Sequence, residues 1–371
     1  MSIRPPHQRH QWEAVVAAGF TLDQFRRRCR TMAETLAARN WTCLVGCDTR
    51  FLGSQLALDA YRTLRGAGVS ALLVTNSVPF PAIEMALEQQ RADCALLVSA
   101  GDRPYWMQGL IALTPQLDQS PIAPAASAPD GAFPEDSSES TERALTDLRP
   151  IYIEQLRAGI EIEVVRRSPL TIFIDPMYGS AAGIVSAVIG DGAQAKAIEI
   201  NREPDPLFGR QTPEPVTTNL VRLRKLVRES NAHFGAALSA DGRAISLIDG
   251  NGAQLTPTQV GMLLGYHFAR HQRRRGLVIV PDVQQQSETE IRNWEGRTGL
   301  KLDREAAPAR KIGEIVQHDR QSLLVGVTAA GEVYQGRGGI GPDAARTALL
   351  TAECVARAGV PLADLMRMLG S

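Results

Sequence analysis

The most regular feature of the chain is its alternation between short apolar runs and stretches with helical period. TLDQFRRRCRTMAETLAAR (21–39) brings Leu22, Phe25, Cys29, Met32, Ala33 and Leu36 to one face, which predicts an amphipathic helix opened by a Thr21 cap. TCLVGCD (42–48) predicts a strand, residues 53–66 a second helix ending before Gly68, and ALLVTN (71–76) a second strand. A helix over 82–91 and the strand CALLVSA (94–100) complete this first block. Strands separated by helices imply βαβ units and a mostly parallel sheet.

The rhythm then breaks and returns twice. Residues 115–142 are rich in Pro, Ala, Ser and acids and show no period, so they read as a flexible insertion. Helical patterning resumes over 143–158. TIFIDP (171–176), AKAIEIN (195–201), HFGAALS (233–239) and AISLID (244–249) form a second block. GLVIVPDV (276–283), SLLVGVT (322–328) and helices over 342–358 and 361–369 form a third. The expected domains are 1–114, 143–263 and 264–371, with 115–142 between the first two.

Composition narrows the function classes. The chain has 371 residues, with 44% hydrophobic and 22% charged residues, as in ordinary soluble domains. Forty basic residues balance forty acidic ones, which argues against a nucleic-acid or polybasic membrane binder. The basic run HFARHQRRR (267–275) reads as charge at a helix C-terminus. Cys29, Cys43, Cys47, Cys94 and Cys354 form no C-x-x-C pair and read as buried thiols. No window reaches the ~18 apolar residues needed to span a bilayer, and MSIRPPHQRHQW is no signal peptide, so the expected location is the cytoplasm.

The candidate chemistry lies in the loop that follows the third strand, LLVSAGDRPYWMQG (96–109), because α/β folds keep their sites at strand C-terminal ends. Other stretches are VGCDTRFLGSQLALDAYRTLRGAGV (45–69), DPMYGSAAG (175–183), EINREPDPLFGRQTPEPVTTNL (199–220), LIDGNGAQLTPTQV (247–260) and KIGEIV (311–316). In this order they resemble the phosphoglucomutase/phosphomannomutase (α-D-phosphohexomutase) family over nearly the whole chain. The resemblance implies three consecutive phosphohexomutase-like α/β/α domains with mixed, mostly parallel sheets. The family's fourth, C-terminal domain is expected to be absent, since the sequence stops at Ser371.

The family's chemistry needs a phosphorylated serine, a Mg²⁺ held by three aspartates that neutralises the transferring phosphoryl oxygens, and a basic group by the serine loop. It also needs a Glu-Ser pair that grips the sugar. Set against the family's loops, the phosphoserine position is Gly101 and the basic lysine's position is Ile111. The metal loop reads Ser239-Ala240-Asp241-Gly242-Arg243-Ala244, with one carboxylate left and a cation where an anion belongs. The sugar-gripping loop reads Gly326-Val327-Thr328-Ala329-Ala330-Gly331, and the N-terminal loop, His7 to Glu13, keeps only Trp12.

The resemblance therefore implies a catalytically inactive homologue, a pseudoenzyme without phosphoserine or Mg²⁺, acting in binding, scaffolding or regulation. The expected partner is another protein or a second copy of the chain. One alternative is a sensor for a sugar phosphate or another anion, with Arg50, Ser99, Asp102, Arg103, Asp241 and Arg243 lining a vestigial cleft. Another is residual or altered mutase activity, an isomerase in carbohydrate metabolism. Tyr105, Trp106 and Met107 are the candidate interaction surface. DPMYGSAAG reads as a strand-to-helix turn without a Walker lysine, and GRGGIG (336–341) as a flexible loop.

Overall fold

A computed structural model describes residues 8–114, 122, 145–282, 286–339 and 341–370. The first sheet holds β1 (Gln8–Val15), β2 (Thr42–Cys47), β3 (Ser70–Val74), β4 (Cys94–Val98), β5 (Met107–Thr114) and β6 (Leu145–Thr146), in the order β1-β5-β4-β2-β3-β6. β2, β3, β4 and β6 pair in parallel, while β5 runs antiparallel to both β4 and β1. α1 (Leu22–Ala38) and α2 (Gly53–Gly66) cover one face; α3 (Phe80–Glu88) and α4 (Arg149–Ala158) cover the other.

α1 forms where the pattern places it. The Thr21 side chain accepts from the Gln24 N–H, and Phe25, Cys29, Met32, Ala33 and Leu36 are buried. Leu22 departs from that face and is 45% exposed, because it occupies the first helical position, beyond the sheet. In this sheet β1, β5 and β6 were not foreseen, β6 lying at the start of the stretch 143–158 expected to be helical. β1 is a polar edge strand, and β5 begins at Met107, which pairs with Val15. Met107 thus belongs to the sheet rather than to a free surface loop. The expected insertion 115–142 lies outside the described residues, except for Ile122, which is buried against the core under α1.

The second sheet holds β7 (Thr171–Asp175), β8 (Lys196–Glu199), β9 (Phe234–Leu238) and β10 (Ile245–Asp249), in the order β10-β9-β7-β8. The third holds β11 (Leu277–Pro281), β12 (Leu302–Glu305), β13 (Leu323–Val327) and β14 (Val333–Tyr334), in the order β12-β11-β13-β14. In each, two of the three pairings are parallel and the third, to one edge strand, is antiparallel. The α-helices that follow α4 are α5 (Ile162–Arg166), α6 (Ile184–Ile189), α7 (Val221–Glu229), α8 (Pro257–Arg270), opened by a Thr256/Gln259 capping box, α9 (Glu288–Thr298), α10 (Pro308–Asp319), α11 (Ala344–Ala358), capped by Asp343, and α12 (Leu362–Gly370). The run HFARHQRRR begins inside α8 and continues past its end.

One continuous apolar core links the blocks, from Leu44 and Ile83 through Ile174 and Leu238 to Val327 and Leu349. Backbone contacts fix their mutual placement. The Phe80 N–H donates to the Asp241 carbonyl at 2.9 Å, and the Ile245 N–H to the Gly331 carbonyl at 3.0 Å. Gly242 has φ +80°, and a Cβ there would come 2.6 Å from Pro79, so the turn beside the first block requires glycine. Among the described residues no helix is long and apolar enough to cross a membrane.

Candidate functional site

The segments after β2, β4, β9 and β13 meet where the three blocks join, at the C-terminal ends of their strands. The loop after β4 is held from below by Arg50. Its guanidinium donates from Nε to Asp48 (3.1 Å), from Nη2 to the carbonyls of Gly101 (2.7 Å) and Arg103 (2.6 Å), and from Nη1 to those of Pro104 (2.9 Å) and Met107 (3.2 Å). All five donors of the group are thereby engaged. Of the structural or cleft-lining roles expected for Arg50, the structure shows the first: its side chain is 1% exposed and holds a loop. Phe208, also buried, lies over it at 5.0 Å and ties the clamp to the second block.

Ser99 belongs to the same network. Its hydroxyl donates to Asp48 Oδ2 at 2.6 Å and accepts from the Gly101 N–H at 3.0 Å, and the residue is 1% exposed. It is a buried link in the clamp, out of reach of a substrate. Burial raises the pKa of Asp48, against the pull of Arg50 and the Ser99 hydrogen bond. Gly101 has φ +60°, a left-handed conformation that disfavours a side chain. The segment after β4 is therefore fixed around a glycine.

The three arginines do not converge. Arg103, half exposed, pairs with Glu13 at 2.6 Å. Arg243 is largely buried, its side chain 15% exposed; it pairs with Glu332 of the third block at 3.1 Å and lies over Phe80 at 5.7 Å. Its Nε has no hydrogen-bond partner among the described residues. Burial opposes the charge of Arg243, but the carboxylates of Glu332 and Glu84 outweigh it and raise its pKa. Ser239 closes its own loop, donating to Asp241 Oδ1 at 2.6 Å and accepting the N–H groups of Arg243 and Ala244.

This loop does not fit the hard-oxygen cage that Mg²⁺ requires. Asp241 is its one carboxylate, with Oδ1 already bonded to Ser239 and to the Arg243 N–H, and a buried guanidinium shares the loop. Among the described residues no group of three or more His, Cys, Asp or Glu side chains is arranged to hold a metal.

Carboxylates that sequence reasoning missed complete the site. Burial pushes Glu84 up to about 7, with Arg243 opposing, and its Oε2 has no partner among the described residues. Burial pushes Glu214 up to about 8, reinforced by Asp241, Asp102 and Glu332. Asp48 directly precedes Thr49-Arg50 at the end of a strand pattern, which was a readable signal; Glu214 and Glu332 had none. Of the aromatic run, Trp106 is 51% exposed, Tyr105 is half-buried, and their rings meet edge to face at 4.9 Å.

Three α/β units joined through their strand-end loops define a multidomain α/β architecture. The description "Phosphoglucomutase/phosphomannomutase, alpha/beta/alpha domain I" matches residues 9–117, and that of domain II matches residues 150–252. The chain belongs to the phosphoglucomutase/phosphomannomutase family. A phosphoglucosamine mutase of Rhizobium rhizogenes is 28% identical over 342 residues, covering 87% of this chain and 72% of its own. That of Nitrosospira multiformis is 28% identical over 242 residues, covering 63% and 50%. The crystal structure of a putative phosphomannomutase from Thermus thermophilus superposes with a TM-score of 0.81 at 23% identity, over 100% of this chain and 84% of that one.

Proposed function

We propose that this chain is a phosphohexomutase homologue that acts by binding, in a scaffolding or regulatory role, and transfers no phosphoryl group. The observation that carries the reading is the Arg50 clamp: the loop aligned with the family's nucleophile is locked around Gly101 at positive φ, and its nearest hydroxyl, Ser99, is buried against Asp48. Phosphoryl transfer depends on an accessible acceptor and on cations around the transferring oxygens. Here Arg243 is committed to Glu332, and the carboxylate of Asp241 lies beside it.

The partner in this reading is a protein, either a second copy or a competent relative. Val15, Phe51, Leu52 and Trp106 are all exposed around the start of β5, which supports that face as a contact surface. The same excess of carboxylates weighs against the sugar-phosphate sensor. Activity like that of the relatives named phosphoglucosamine mutases is the competing reading, since they match along most of the chain. The test is a coupled assay with glucose 1-phosphate, Mg²⁺ and a bisphosphate activator, run alongside intact-mass measurement. The expected result is neither turnover nor a phosphorylated protein; either signal, if absent from a Ser99→Ala variant purified in the same way, would overturn the proposal.

A further inference from the structure

Between the second and third blocks lies a cavity of about 350 Å³, within the size range of small-molecule sites. Much of its wall is apolar, formed by Val216, Ile245, Leu255, Val260, Val327 and Val333. Its neutral polar groups are already joined to one another. Thr217 Oγ1 donates to Gln254 Oε1 (2.9 Å), Gln254 Nε2 to Ser246 Oγ (3.0 Å), and Ser246 Oγ to the Pro215 carbonyl (2.8 Å).

Glu214 differs from them. It lines the cavity, and its carboxylate accepts no hydrogen bond from any described residue. Among the described residues no Lys, Arg or His lines the cavity. Around Glu214 lie the carboxylates of Asp241, Asp102 and Glu332; of the described cations, Arg243 is paired with Glu332 and Arg103 sits 3.9 Å from Asp102. An anion entering here would meet carboxylates whose neighbouring cations are already taken. A group that brings both positive charge and N–H donors would satisfy Glu214 and relieve that field.

We propose that this cavity binds a small organic cation, an ammonium group on an apolar body, with the ammonium donating to Glu214 and the body resting on the valine wall. The inference rests on the reading that the chain works by binding, and it assigns that binding a ligand class opposite in charge to a sugar phosphate. The probe is n-hexylammonium, with hexanol and hexanoate as controls of the same length, titrated into the full chain by calorimetry and NMR.

Saturable binding of hexylammonium is expected, with hexanol weaker by about tenfold or more and hexanoate not binding. Glu214→Gln removes the preference for the amine. Ala330→Trp, on the exposed rim, blocks entry without touching the carboxylate. Because Glu214 sits at about 8, affinity rises about tenfold per pH unit from 6 towards 8 as the carboxylate ionises. Absence of saturable binding, equal binding of all three probes, or amine binding that survives both variants would overturn the inference. Mutase turnover would overturn the binding-only reading while leaving these titrations unchanged, so the two failures are distinguishable.

Discussion

Arg50→Met should release the loop after β4 while leaving the rest of the chain folded. The substitution keeps an unbranched stem and removes five donors, leaving Asp48 as a buried carboxylate without its cation. Breaking a buried pair by deleting one partner costs about 3–5 kcal/mol. The carbonyls of Gly101, Arg103, Pro104 and Met107 also lose their donors, at about 1–3 kcal/mol each if they stay buried. The loop escapes most of that second cost by opening to water, so the net loss of local stability is about 4 kcal/mol, close to a thousandfold in the opening equilibrium.

Native-state amide hydrogen exchange reads this directly. The reporters are the N–H groups of Gly101, Arg103 and Met107, bonded to Ser99 Oγ, the Ala100 carbonyl and the Pro104 carbonyl. Their protection should fall by about three orders of magnitude, while amides of α8 keep theirs. Arg50→Lys, with a charge but fewer donors and no planar fork, should recover only part of the loss. Protection at the three reporters unchanged to within about tenfold in Arg50→Met would refute the clamp.

Other expectations follow from the same geometry. Glu214 has a folded-state pKa raised from 4.5 to about 8, so it binds its proton more tightly folded than unfolded, and stability declines as pH rises from about 4.5 to 8. Glu214→Gln should therefore raise the thermal midpoint at pH 8 and leave it nearly unchanged at pH 4, as scanning calorimetry would show. His267 is fully buried, and burial lowers its pKa from 6.5 to about 3, so it contributes stability that is lost as pH falls below about 6.5. His267→Phe should flatten that acid limb, and an unchanged limb would refute the assignment. Gly101→Ser, placed at φ +60°, should cost about 1 kcal/mol by denaturant unfolding.

The sequence carried the scaffold because its signals are local. Period, caps and apolar runs place α1, β2, β4, β7 and β13 within a residue or two. β1 and β5 escaped because their pairing is tertiary: a polar edge strand, QRHQWEAV, acquires its identity only from the register Val15 to Met107. At the site, Gly101 and Arg243 stand out in the sequence against the family's pattern. The site's positive content was not legible. Asp48, Ser99 and Arg50 come from different strand ends, and the pairing of Arg243 with Glu332 joins two blocks. Such contacts depend on how whole units dock, which no local window records.

The most direct test is intact-mass spectrometry of the purified chain, before and after incubation with a hexose bisphosphate and Mg²⁺. The account predicts one unshifted species in both samples, because the serine of the clamped loop, Ser99, is buried against Asp48. A protein heavier by one phosphoryl group, with the modification mapped to residues 99–107, would contradict it.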